Sequence, residues 1–217
     1  MTDRVVPQLY LVSPPRFEPA GFAASVAAAL DGGPVACVQL WMPDADDNEV
    51  RRAVKAVSKV VQDADTAFLL NGHVKLAAYM ECDGVHLDNA DPATIRAAKK
   101  TLGEEAIVGV SCGTSRHASM EAGEAGADYV SFGPVFDTAT KGLPADPHAL
   151  DTLEWWAEMM EVPCVAVGGL TPDNIYPVVE TRCEFICAVS SIWDHPDGPR
   201  AAVASFHDAL SRIEAAK

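Results

Sequence analysis

Short apolar runs rich in β-branched residues recur along the chain, separated by stretches whose apolar residues fall three and four positions apart. The runs read PQLYLVS, VACVQLWM, TAFLLN, GVHL, AIVGVSC, DYVSFGPV, PCVAVGG and EFICAVSSIW. Their length and composition predict strands. Several are apolar nearly throughout, as expected of a parallel sheet covered by helices. Between them lie GFAASVAAAL, NEVRRAVKAVSKVVQDA, HVKLAAYMEC, PATIRAAKKTLG, SRHASMEAGEAG, PHALDTLEWWAEMM and TPDNIYPVVETRC, and GPRAAVASFHDALSRIEAA closes the chain. Val50, Val54, Val57 and Val61 make one helical stripe. Thr171-Pro172 and Asp146-Pro147 each put a capping residue ahead of a proline, predicting helix starts there. Gly103 and Gly32-Gly33 fall where helices should end.

Eight strands, each followed by a helix, is the count of a (β/α)8 TIM barrel. An open doubly wound sheet is the other arrangement with this alternation. No GxGxxG follows the first strand and no long spacer breaks the alternation, so the barrel is the expected fold. No linker or low-complexity segment interrupts it, and residues 1–217 read as one domain.

Composition narrows the function. The chain has 217 residues and is 49% hydrophobic, ample for a large core. No apolar run approaches the roughly twenty residues of a membrane span, and MTDRVVPQLYLV starts a strand without the layout of a signal peptide. Neither a membrane nor nucleic acid is an expected partner. The formal charge is −15, with 16 Lys+Arg against 31 Asp+Glu, and such a surface repels a phosphate backbone. Affinity for a small anion must then come from local groups. Cys37, Cys82, Cys112, Cys164, Cys183 and Cys187 form no CxxC pair, and four of them sit inside strand-like runs. They read as reduced core residues, which points to the cytoplasm.

Active sites of such barrels lie at the C-terminal ends of the strands. Those ends supply Ser13, Gln39, Trp41, Asn71, His86 with Asp88 and Asp91, and Ser111. Beyond them come Gly133 with Thr138, Thr140 and Lys141, then Gly168-Gly169, and Ser190-Ser191. The loops after strands seven and eight are a frequent phosphate site in this fold. Gly168-Gly169 lets backbone N–H groups approach an anion, and Ser190-Ser191 adds donors. In Phe136–Leu143, FDTATKGL, an extended loop would project both threonine hydroxyls the same way beside the Lys141 charge. Alone, the glycine pair reads equally as an eased turn and the TxTK run as a solvated loop. Opposite each other at one barrel mouth, they make a candidate anion site.

YVSFGPVFDTATKG, VAVGGLTPDNI and AVSSI resemble the second half of thiamine phosphate synthases, and LLNGHVKLA and DGVHLDNAD the first half; the likeness runs over roughly residues 8–210. The resemblance implies a (β/α)8 enzyme, a homodimer, that joins a hydroxymethylpyrimidine diphosphate to a thiazole phosphate with Mg²⁺. Pyrophosphate leaves first, and the thiazole nitrogen captures a pyrimidine carbocation. It also implies roles. Gln39 would hold the pyrimidine side, and Asn71 would contact the diphosphate. Asp91 would bind the metal, and Ser111 and Lys141 would be catalytic contacts to the diphosphate. Thr138, Thr140, Gly169 and Ser190 would grip the thiazole phosphate, with Gly168 and Ser191 beside them.

The pattern also departs from that family. Where Gln-x-Arg-x-Lys is expected, the chain has Gln39-Leu40-Trp41-Met42-Pro43. Asn-Asp has become Asn71-Gly72, and Gly-Gln has become Asp88-Asn89, leaving Asp88 as a substitute metal ligand beside Asp91. Each lost charge-assisted contact is worth ~1.5–3 kcal/mol. The expectation is a synthase whose diphosphate and metal half is degraded, with Trp41 stacking on a ring in place of charge recognition. Two other readings stay open: a tautomerase-like paralogue, and a non-catalytic binder of a phosphorylated heterocycle. The related thiazole tautomerases share the KGL run of Lys141–Leu143 but use a histidine soon after strand five. The nearest one here, His117, is expected inside the next helix, facing away. His86 reads either as a mouth residue or as structural. Trp155 and Trp156 are expected to pack the sixth helix, and His148, His195 and His207 to lie at the surface.

Overall fold

The computed structural model describes residues 6–89 and 91–216. Eight parallel strands close into a barrel in sequence order: β1 (Gln8–Val12), β2 (Cys37–Leu40), β3 (Ala67–Asn71), β4 (Gly84–Leu87), β5 (Ile107–Ser111), β6 (Tyr129–Phe132), β7 (Cys164–Ala166) and β8 (Phe185–Ala188), which pairs back onto β1. The connecting helices are α1 (Pro19–Leu30), α2 (Asp47–Gln62), α3 (Val74–Tyr79), α4 (Pro92–Leu102), α5 (Arg116–Glu124), α6 (Ala149–Met159), α7 (Tyr176–Glu180), α8 (Ser190–Trp193) and α9 (Gly198–Ala215).

The period of two along each strand divides the apolar residues into two cores. Leu9, Leu11, Val38, Phe68, Leu70, Val108 and Val130 point outward and pack against helix residues such as Val26, Val54, Val57, Ile95 and Phe206. The inner cluster is smaller: Tyr10, Cys37, Leu69, Tyr129, Val165 and Cys187. Gly109 makes room for it, since a Cβ there would lie 1.8 Å from the Tyr129 ring. At the bottom of the barrel, Asp83, Asp128 and Glu184 each accept a hydrogen bond from a neighbouring strand, at Phe68 N, Val108 N and Cys164 N. These acids tie β3, β5 and β7 at the end away from the strand C-termini. All six cysteines are unpaired, and burial pushes the Cys82, Cys112, Cys183 and Cys187 thiols up to about 12. Among the described residues, no helix is long and apolar enough to cross a membrane.

Three local expectations are corrected. The run EFICAVSSIW is a strand only to Ala188; Ser190–Trp193 is a helical turn, pinned where Trp193 Nε1 donates to Val12 O at 2.7 Å. Asp146-Pro147 does not open α6. Asp146 accepts from His148 N and from Thr114 Oγ1, and the helix starts at Ala149. Thr171-Pro172 heads a separate turn in which Asn174 Oδ1 accepts from Thr171 N, and α7 begins only at Tyr176 with Pro177 in its first turn. The helix ending near Gly103 is as expected: Gly103 takes a positive φ of 100° at the α4 C-cap. Trp156 is buried with its indole donating to Val162 O at 2.6 Å, and Trp155 carries the Arg116 guanidinium over its ring.

Candidate active site

A cavity of ≈ 240 Å³ opens at the C-terminal ends of the strands. Gln39, Trp41, Asn71, Asp88, Ser111, Thr138, Thr140, Lys141, Gly168, Gly169, Ser190 and Ser191 all line it, together with His86. Asp91 does not. Its carboxylate caps α4, accepting from Thr94 N at 2.8 Å and from Thr94 Oγ1, and those bonds hold its pKa below the usual carboxylate value. A larger cavity, ≈ 680 Å³, lies at the N-terminal end between the turns around Val35 and Thr66. The strand C-termini, where this fold places chemistry, are at the other end.

The β6 loop is not extended as expected. Thr138 and Leu143 pair through N–H···O bonds of 2.9 and 3.2 Å, closing residues 139–142 into a turn with Gly142 at φ 62°. The turn carries Lys141 across the mouth to the Trp41 ring, 5.0 Å from its centroid. Ser13, buried at the end of β1, accepts from Trp41 N at 2.9 Å and so pins the start of the β2 loop.

Opposite, the β7 loop depends on two glycines. Gly168 and Gly169 have φ of 103° and 63°; a Cβ on Gly169 would lie 2.4 Å from Asp137 O. Asn174 Nδ2 donates to Gly169 O at 2.8 Å and holds the β7 loop in its own turn. Ser190 is exposed at the start of α8, and Ser191 Oγ is buried without a hydrogen-bond partner among the described residues. An unsatisfied buried hydroxyl in a cavity wall is a costly group that a ligand can satisfy.

The inner half of the mouth is hydrogen-bonded throughout. Asn71 Nδ2 donates to Asp88 Oδ2 at 2.8 Å, and Asn71 Oδ1 accepts from Gln39 Nε2 at 2.7 Å. Tyr10 OH donates to Gln39 Oε1 at 2.7 Å and lies 2.7 Å from Tyr129 OH. His86 sits between Tyr129 OH at Nδ1 and Ser111 Oγ at Nε2, both 2.8 Å away. Burial lowers its pKa to about 4; the nearby Asp88 charge opposes that shift and Lys141 adds to it. Burial raises both tyrosines well above their ordinary value, so they remain phenols. His86 thus both faces the mouth and is locked by the barrel interior. His117 is in α5, exposed, 3.5 Å from Glu121. His148 is exposed ahead of α6, His195 Nδ1 lies within its own turn, and His207 reaches Pro34 O at 3.0 Å. Tyr10, Tyr129 and Ser131 also reach the cavity and were not singled out from sequence. The available signal was an inward strand position carrying a hydroxyl, which needs a partner once buried.

Oxygen donors that suit a hard cation are sparse. Among the described residues Asp88 is the carboxylate lining the cavity, with the Asn71 amide next to it. No group of three or more His, Cys, Asp or Glu side chains suited to a metal is found among the described residues. Such a set fits Mg²⁺ only where waters and substrate phosphates complete the shell, which is its usual habit.

Comparisons with known proteins agree with this geometry. A family model described as thiamine monophosphate synthase matches residues 9–192. The chain is 50% identical over 202 residues to the thiamine-phosphate synthase of Rhodospirillum centenum, covering 92% of this chain and 96% of that one. With the thiamine-phosphate synthase of Erythrobacter litoralis it shares 40% identity over 215 residues, 97% of this chain and 99% of that one. The solved thiamine phosphate pyrophosphorylase from Pyrococcus furiosus superposes with a TM-score of 0.80 at 28% identity, covering 97% and 98% of the two chains. An eight-stranded parallel barrel with a polar mouth ringed by the β6, β7 and β8 loops, matched over nearly its whole length by these relatives, belongs to the thiamine monophosphate synthase family.

Proposed function

We propose that the chain joins a hydroxymethylpyrimidine diphosphate to a thiazole phosphate, releasing pyrophosphate, and that it recognises the diphosphate with fewer charges than its family pattern implies. The observation that carries this reading is the convergence of Thr138, Thr140, Gly169 and the unpartnered Ser191 hydroxyl on one cavity at the mouth, which Lys141 and Ser111 also line. The first group would hold the thiazole phosphate through hydroxyl and backbone donors. Lys141 would meet the departing diphosphate charge, and Gln39 and Trp41 would hold the pyrimidine ring between an amide and a flat aromatic face.

The diphosphate half is thin. Lys141 is the cationic side chain among the described residues lining the cavity, and it is already drawn to Trp41. Pro43 and Gly72 add no charge where the family pattern has lysine and aspartate. Mg²⁺ is part of the proposal: Asp88 would hold it, while Asp91, the ligand the family pattern implies, is engaged at the α4 cap. When bound, it supplies neutralisation of diphosphate charge. A homodimer working in the cytoplasm belongs to the same reading.

Incubation of the purified protein with the pyrimidine diphosphate, the thiazole phosphate and Mg²⁺ tests it, with thiamine phosphate quantified by mass. Sustained turnover well above a no-enzyme control is expected. Absence of product from folded protein that still binds the thiazole phosphate would sink the synthase reading. That outcome favours the second one, a paralogue that keeps a phosphorylated-heterocycle site; tautomer exchange of the thiazole would then separate a tautomerase from a binder.

A further inference from the structure

The hydrogen bonds inside the barrel form one line from Asp88 to Ser111, through Asn71, Gln39, Tyr10, Tyr129 and His86. The line has a direction, and chemistry assigns it without reference to unseen hydrogens. An aspartate carboxylate only accepts, so Asn71 must present its NH2 to Asp88 and its oxygen to Gln39. Gln39 must then donate to Asn71, leaving its own oxygen for Tyr10. A phenol has one proton, and Tyr10 spends it on Gln39. Tyr129 must therefore donate to Tyr10, and has nothing left for His86. Nδ1 of His86 must donate to Tyr129. A neutral imidazole has one N–H, so Nε2 accepts, and the hydroxyl facing it is Ser111. Each link leaves the next a single choice.

We propose that His86 is a positioning residue for Ser111: the line from Asp88 holds it in the Nδ1–H form, its Nε2 accepts a hydrogen bond from the Ser111 hydroxyl, and the Ser111 oxygen faces the ligand space as an acceptor. This rests on the reading of Ser111 as a substrate contact. Ser131 Oγ, 3.4 Å away, is free in this arrangement to donate to that oxygen. The consequence concerns the ligand. A diphosphate oxygen has no proton to give, so Ser111 can donate to it and keep its bond to His86 only if the entire line reverses. Reversal puts the proton of His86 on Nε2 and turns the Asn71 oxygen toward residue 88. No proton is gained or lost: the hydroxyls rotate, the amides turn over and the ring exchanges one nitrogen-bound proton for the other. Asp88 forbids that arrangement because it has no donor to offer Asn71. The group at position 88 therefore decides, through the barrel interior, whether Ser111 accepts or donates.

The ring nitrogens report the direction. In protein labelled with ¹⁵N-histidine, near neutral pH, the two-bond proton–nitrogen pattern of His86 distinguishes Nδ1–H from Nε2–H; its signals are identified by their loss in His86→Asn. The wild type should show Nδ1–H. Asp88→Asn, at an exposed position, supplies the missing donor and should populate Nε2–H as a substantial fraction. In Asp88→Asn combined with Tyr129→Phe, which cuts the line, the ring should no longer report the residue at 88. An Nε2–H ring in the wild type overturns the proposal, as does a pattern unmoved by Asp88→Asn. No substrate is present in these measurements, so their outcome stands apart from whether the protein makes thiamine phosphate.

Discussion

Lys141 Nζ stands 5.0 Å from the centroid of the Trp41 ring, so the β6 loop and the β2 loop meet across the mouth through a cation and an aromatic face. At a partly exposed site this contact is worth about 0.5–1 kcal/mol, small enough for a diphosphate to displace. The family pattern has arginine at position 41. Trp41→Arg would exchange the contact for a second cation on the diphosphate side. The expected result is tighter binding of inorganic pyrophosphate by about tenfold or more, as one charge-assisted contact implies. Calorimetric titration of both forms reads it directly. Equal affinities would remove residue 41 from the diphosphate site.

Gly72 has a φ of 73°, and a Cβ built there meets nothing within 4 Å. Aspartate is among the side chains that best tolerate this left-handed region. Gly72→Asp should therefore fold with a stability loss of about 1 kcal/mol and set a second carboxylate near Asp88. Mg²⁺ should bind it more tightly than the parent, measured by competition with Mn²⁺ followed by electron paramagnetic resonance. Unchanged affinity in a folded variant would count against a metal at this end of the mouth.

His86 ties acid stability to the inner line. Burial lowers its pKa from 6.5 to about 4, so between these values the unfolded chain binds a proton that the folded chain refuses. The sign follows: this contribution is fully present above pH 6.5 and is lost as pH falls toward 4. Each tenfold change in proton affinity is worth ~1.4 kcal/mol, which brings the contribution to roughly 3 kcal/mol. Urea unfolding at a series of pH values should show the wild type losing that much more stability over the window than His86→Asn. Parallel curves would mean that His86 is not the group responsible.

A methyl group on Gly169 has no room, because its Cβ would lie 2.4 Å from Asp137 O and 2.9 Å from Phe136 Cβ, at a φ of 63°. Gly169→Ala should push the β6 and β7 loops apart and weaken binding of the thiazole phosphate by at least tenfold. The barrel should survive, as the outer core is remote from this contact, so circular dichroism should stay native while fluorescence or calorimetric titration shows the loss. Retained affinity would show that the phosphate does not use this wall.

Much of the molecule is written in local patterns. The alternation that turns Leu9 and Leu11 outward and Tyr10 inward, and the spacing that aligns Val50, Val54, Val57 and Val61, are properties of a few consecutive residues. Repeated eight times, they leave a closed barrel as the arrangement that covers every strand. The fold rule then sends attention to strand ends, which is why Gln39, Asn71, Ser111, Thr138 and Lys141 could be named from the chain alone. Asp91 shows the limit of that rule, since a residue just past a strand end is equally placed to cap the next helix, and it does so. The turn at 138–143 is closed by its own Thr138–Leu143 pair, but where it sets Lys141 and where β8 ends depend on distant partners: Trp41 across the mouth, and Val12 accepting from Trp193. Tyr10 and Tyr129 are 119 residues apart, and Gly109 must be small for their hydroxyls to meet. A buried phenol states in sequence that it needs a partner but not which one. Closure of the barrel makes that choice, and with it the direction in which Asp88 reaches Ser111.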